Sequence, residues 1–417
     1  MRIHTIILTG ALAITSGSVL AKNEWVTIQG NTAHTGYLAI TTNPEKMRVL
    51  WSKKLSIENP KAGDPAPIMD WFDGVVISDH TAYFTVNYYY DSKYTHLNFP
   101  TATTTAINTD TGNTVWQRQR QAGDKLNYPA ISDDEVYVGV NKNNHGAGLL
   151  SYQTTTGKLQ HSFHLSGWTM RNENNGPIAY NGNIYATSAD TLESFDGLTG
   201  KFNWSIPNTD FLPMPAVTEN YVIRPRHYLG GIEVLNKITG ESEFVIPADK
   251  SCVFVSSKHY PVVDEKNNIA YYTFDCSNKL YAFDLVNHTV KWMMPEVFGQ
   301  PVLAGDELYV LGTKKDGEAE ELLSINAANG SINWKWHPDD GESTINGYYY
   351  PVATSDLVMV SSRNKTYALS RKTHQVVWQI NKSGWLALGE NRLIIINESK
   401  NEDGETDSPH ATAVALN

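Results

Sequence analysis

Short runs of β-branched and aromatic residues, such as Val136-Tyr137-Val138 and Leu308-Tyr309-Val310, alternate with turns rich in Gly, Asn and Asp. No stretch keeps the i, i+3, i+4 apolar spacing of an amphipathic helix, so the chain reads as all-β. One unit recurs. Its clearest copy is Ala106-Ile107-Asn108, then Thr111-Gly112, then Trp116; Ser194-Phe195-Asp196 leads to Thr199-Gly200 and Trp204, and Ser324-Ile325-Asn326 to Asn329-Gly330 and Trp334. Looser copies end at His161 after Gly157, Phe244 after Gly240, Trp292 after His288 and Trp378 after His374, and Trp51 stands alone after Val49-Leu50.

These anchors follow one another, after a longer first step, at roughly 40–48 residues, the period of a four-stranded propeller blade. Within a unit, Gly supplies the positive φ of a tight turn. The aromatic on the next strand is then placed to pack between neighbouring blades. A Pro followed by an apolar residue opens most units: Pro129, Pro177, Pro215, Pro261, Pro301 and Pro351. At the first position of a strand, Pro removes no ladder hydrogen bond.

The ends of the chain complement each other. Residues 386–396 give two strands of a last unit and Ala415-Leu416-Asn417 matches Ala106-Ile107-Asn108, but no fourth strand follows; Arg48 to Leu55 is a fourth strand with none before it. The expectation is an eight-bladed β-propeller of four-stranded antiparallel blades over residues 47–417, closed by pairing of the N- and C-terminal strands, which leaves no sheet edge open between first and last blade. Residues 22–46 form a leader.

The repeated Ala-apolar-Asn/Asp, Thr-Gly and Trp elements over residues 48–417 resemble the pyrroloquinoline-quinone-like (PQQ-like) propeller repeat. That family includes quinoprotein alcohol dehydrogenases and the propeller lipoprotein of the outer-membrane β-barrel assembly machinery. Trp25 through Tyr37 resembles the leader of exported bacterial members. Two departures matter. The adjacent cysteine pair that quinoprotein dehydrogenases carry beneath their cofactor is missing, so PQQ is not favoured and no cofactor is expected. No Cys stands in the first residues to carry a lipid.

Composition narrows the function. A net charge of −11 argues against nucleic acid and anionic membrane surfaces. Residues 1–21 read as a signal peptide, with Arg2, the apolar run Ile6 to Ile14, and cleavage after Ala21. That places the mature protein in the periplasm or outside the cell, as a monomer with no transmembrane segment. In such a compartment Cys252 and Cys276 are expected to form a disulfide.

On the face where inter-blade links enter the inner strands, Tyr128, Tyr260 and Tyr350 directly precede Pro markers, as do Gly176, Met214 and Gln300. His145, Arg171, Arg224, Arg226 and His227 lie in loops assigned to the same face. Aromatics there can stack on a flat ligand, and paired arginines can grip a carboxylate. The alternative is aromatic packing that caps the channel and solvated loop charge. Asn108 to Gly112 imitates part of a calcium loop but coincides with the repeat's turn, so no metal is expected. The first reading is a non-enzymatic exported propeller that binds or scaffolds envelope proteins. A carbohydrate-binding or polysaccharide-lyase propeller is the alternative, and a PQQ-dependent oxidoreductase ranks behind both.

Overall fold

The structure is a computed structural model. It describes residues 24–57, 68–89, 101–120, 123–142, 146–166, 176–188, 190–207, 213–226, 230–248, 259–315, 318–339, 345, 349–397 and 409–417. Its strands group into eight four-stranded antiparallel sheets. Blade 1 runs Ile68–Ser78, Thr81–Tyr89, Thr101–Asn108 and Thr114–Gln119; blades 2 to 7 follow over 125–164, 177–207, 216–246, 262–295, 297–336 and 352–380. Blade 8 takes Trp385–Gly389, Arg392–Asn397 and His410–Ala415 from the C-terminus and Arg48–Lys54 from the N-terminus. The expected closure is therefore present, with Arg48 opposite Ala415 and Lys54 opposite His410.

Its register corrects one alignment. Trp51 stands opposite Ala413, as Trp116 stands opposite Ala106. Ala413-Val414-Ala415, not Ala415-Leu416-Asn417, is thus the counterpart of Ala106-Ile107-Asn108. A shift of two residues keeps every side chain on its expected face.

Each blade's fourth strand carries a bulge just before its anchor. The ladder skips one residue between Ala106/Ile107, Ser194/Phe195, Val234/Leu235 and their equivalents. Such a bulge re-aims the side chain that follows it. The anchor then lies on the turn of the next blade. A β-carbon added to Gly112 would come within 2.8 Å of Trp51, one on Gly157 within 2.5 Å of Trp116, and one on Gly240 within 2.6 Å of Trp204. The indole Nε1 donates to a carbonyl of the same turn: Trp51 to Thr109 (2.8 Å), Trp116 to Thr154 (2.7 Å), Trp204 to Lys237 (3.0 Å) and Trp292 to Ala327 (3.1 Å).

Blade 2 differs. His161 holds the anchor's register opposite Ser151, but the ring that covers Gly200 is Phe163, two residues on. The turn at Asn108 is closed by its own side chain. Asn108 Oδ1 accepts from the amides of Asp110 (3.1 Å) and Thr111 (2.9 Å).

Candidate functional site

In a propeller the inner strands face a central channel, and their free edges leave backbone donors unpaired. Here the leader supplies the acceptors. The second residue after a Pro marker donates its amide to a leader carbonyl in blade 2 (Ile131 to Val26, 2.8 Å), blade 4 (Val217 to Thr32, 2.8 Å), blade 5 (Val263 to Ala33, 2.9 Å), blade 6 (Leu303 to Thr35, 2.7 Å) and blade 7 (Ala353 to Gly36, 2.8 Å). Trp25 and Ile77 of blade 1 exchange both bonds, at 2.9 and 2.8 Å. Ile28 packs with Ile178 and Tyr185 of blade 3. Trp25, Thr27, Ile28, Gln29 and His34 are all buried. The leader thus plugs the channel at the ends where the inner strands finish.

The other half of the axis is filled by the residues before the Pro markers. Tyr260 has no exposed surface. Its amide donates to Gln300 Oε1 (2.7 Å), its carbonyl accepts from Gln300 Nε2 (3.1 Å), and its ring lies 5.2 Å from that of His34. Gly176 donates its amide to Met214 Sδ at 2.9 Å. Tyr128 covers Gly74, whose added β-carbon would sit 2.1 Å from the Tyr128 ring, and its hydroxyl donates to the Val75 carbonyl at 3.1 Å. Burial pushes that hydroxyl's pKa far up. Asn87 repeats the Gln300 arrangement: its side chain bonds both the amide and the carbonyl of Leu126, at 2.8 and 2.9 Å. These two carboxamides stand in for a neighbouring strand, and nothing in the repeat pattern distinguished Asn87.

The expected binding residues therefore fare differently. Tyr128 and Tyr260 belong to the channel packing and form no open mouth. Tyr350 is half-buried at its margin, 6.3 Å from His259, which is itself buried. Arg224 is committed to Glu233, with Nε and Nη2 at 3.0 and 2.8 Å from one carboxylate oxygen, and Nη1 donates to the Pro207 carbonyl. Arg226, half-buried, adds to the positive field on Glu233. His145, Arg171, His227 and Cys252 lie outside the described residues, as does the signal segment. Cys276 is exposed in the short turn Asp275–Ser277, and no free cysteine occurs among the described residues.

On the leader side a cleft of about 400 Å³ opens between the leader (Asn31, Thr35, Tyr37) and the turns of blades 5 and 6 (Asp264, Glu265, Asp306). Asp264 is taken up by the Asn267 amide (3.0 Å) and side chain (2.7 Å). Among the described residues no group of three or more His, Cys, Asp or Glu side chains is set to hold a metal ion. No helix among them is long and apolar enough to cross a membrane.

A PQQ-like repeat family model, described as outer membrane protein assembly factor BamB, matches residues 100–380. No curated protein matches the chain. Among solved structures, BamB from Moraxella catarrhalis superposes with a TM-score of 0.57 at 14% identity, covering 88% of this chain and 99% of that one. Quinohemoprotein alcohol dehydrogenase from Comamonas testosteroni gives 0.48 at 11% identity, covering 94% and 80%. At 14% identity the likeness to BamB is one of fold.

Proposed function

Because the chain belongs to the BamB family of PQQ-like repeat propellers, we propose that it works as a binding or scaffolding module for proteins of the bacterial cell envelope, without catalysis and without a cofactor. The observation that carries this reading is the filled axis. Tyr128, Tyr260, Met214 and Gln300 occupy it from one side and the leader from the other, so the surfaces left for recognition are loops, turns and outer strands. Propellers with a closed core recognise partners through such surfaces, not through the fold itself.

The reading includes export. Cleavage after Ala21 leaves every leader contact from Trp25 onward in place. It also includes a Cys252–Cys276 bridge, in keeping with an oxidising compartment. Intact mass measured with and without alkylation, before and after reduction, should count no free thiol in the native protein and two after reduction; two native thiols would refute the bridge.

The functional test pairs two measurements on the mature protein. Native purification after brief cross-linking in cells should recover a specific envelope protein in near-stoichiometric amount. A thermal melt with PQQ and calcium should show no shift, since a ligand of the folded state raises the melting temperature as RT ln(1 + [L]/Kd). A clear shift together with dye reduction would overturn the reading in favour of an oxidoreductase.

A further inference from the structure

His34 is the deepest polar side chain of the leader, with no exposed surface. Its Nδ1 lies 2.9 Å from the Ile28 carbonyl oxygen and its Nε2 3.0 Å from the Pro215 carbonyl oxygen. A carbonyl oxygen only accepts. A neutral imidazole has one N–H, so it can satisfy one of these carbonyls and must turn a lone pair on the other. A protonated ring donates to both, but it is then a cation buried without a counter-charge.

We propose that His34 is a proton-sensitive latch, whose protonation loosens the leader from the channel and opens that end of the propeller. What faces the ring leaves little to hold a cation. The leader presents its own Ile28 carbonyl, blade 4 the Pro215 carbonyl, and blade 5 the titratable ring of Tyr260 at 5.2 Å; no charged side chain is among the influences on it. Burying an unpaired charge costs more than one added hydrogen bond returns. Burial accordingly holds the ring's pKa below its ordinary 6.5, and the two carbonyls recover part of that loss.

The sign follows. A leader released into water takes up a proton near pH 6.5, whereas the docked leader resists it to lower pH. Docking therefore has its full strength above pH 6.5 and loses it as pH falls through the docked ring's own pKa. The latch sits where the leader passes from blades 4 and 5 to blade 6, between the carbonyls of Thr32 and Ala33, which accept from Val217 and Val263, and that of Thr35, which accepts from Leu303. Those amides report on docking directly.

The test is hydrogen exchange of the mature protein between pH 7.5 and 5, with rates corrected for intrinsic exchange. Protection at Val217, Val263 and Leu303 should fall by up to about tenfold per pH unit below 6.5, while amides between second and third strands, such as Tyr272 and Val310, keep theirs. The His34→Gln variant should lose the pH dependence at the reporter amides. Should that variant fail to fold, the ring itself decides by NMR titration of the native protein, where an apparent pKa below 6.5 is expected. Reporter protection that is flat or rises on acidification, equal loss at the blade-interior amides, or a ring titrating at or above 6.5 would each overturn the proposal.

Discussion

The ring of His288 in blade 5 lies flat on Phe244 of blade 4, their centroids 3.7 Å apart and the planes 13° from parallel. His288 occupies the turn position that Gly fills in other blades, with φ at +55°. His374 does the same in blade 7, stacked on Trp334 at 4.8 Å and 18°. Where the anchor meets Gly, contact is made by a bare backbone; where it meets His, a second ring supplies the contact. The sequence departs from Gly at these turns without losing the inter-blade seal.

That exchange gives a pair of opposed expectations at one position. His288→Gly loses the stack but relieves the left-handed conformation, and should change stability by no more than about 0.5 kcal/mol. His288→Ala loses the stack and keeps a β-carbon at positive φ, so it should cost about 1 kcal/mol. Urea melts of the two variants decide; an alanine variant as stable as the glycine variant contradicts the account.

The anchors' hydrogen bonds offer a second comparison. Trp204 donates to the Lys237 carbonyl, whereas the buried Nε1 of Trp334 finds no acceptor. In the turn beneath Trp334 stands Arg371, whose guanidinium is spent on Glu307, Tyr309 and the carbonyls of Ala304 and Thr354. Trp204→Phe removes a bond and should cost about 1 kcal/mol beyond the lost ring area. Trp334→Phe removes an unsatisfied donor and should cost less. The difference in melting temperature between the variants is the readout.

The repeat was legible because its signals are local: a tight turn, most often at Gly, and an aromatic at fixed spacing after it, renewed along the chain. Blade 2 marks the limit of such signals. His161 occupies the register position, yet its ring nitrogen sits 3.7 Å from Glu135 while Phe163 seals Gly200. Spacing cannot say which of two same-face rings turns inward. The channel was less legible still. The position of Tyr260 before its Pro marker was readable, but its burial depends on a leader more than two hundred residues earlier in the sequence. That leader holds the blades largely through backbone carbonyls, which every residue carries and no side-chain pattern announces.

Blade 2 therefore carries its own test. Phe163→Ala empties the space over Gly200 and should destabilise by about 3 kcal/mol. His161→Ala, which breaks a contact at the edge of hydrogen-bonding range, should cost under about 1 kcal/mol. Equal losses would return the anchor role to His161.

Arg224 and Glu233 supply a pH-dependent prediction. Burial alone raises the Glu233 carboxyl, but Arg224, with Ser242 and Arg226, pulls it further the other way, and the net result is a pKa below its ordinary 4.5. A lowered carboxyl stabilises the fold above pH 4.5, where the unfolded chain is also ionised, and loses that contribution as pH falls through the folded value. Arg224→Met removes the cation and leaves a half-buried carboxylate short of its bidentate partner. At pH 7 the variant should melt below the native protein, by an amount equivalent to about 1–3 kcal/mol. As pH falls below 4.5 and through the folded carboxyl's lowered pKa, the native protein loses the pair as well, so the two melting curves should converge. A gap that stayed constant from pH 7 until the Glu233 carboxyl is fully protonated would mean that Arg224 acts by packing alone, its stem against the strand, and that the ion pair contributes nothing to the blade.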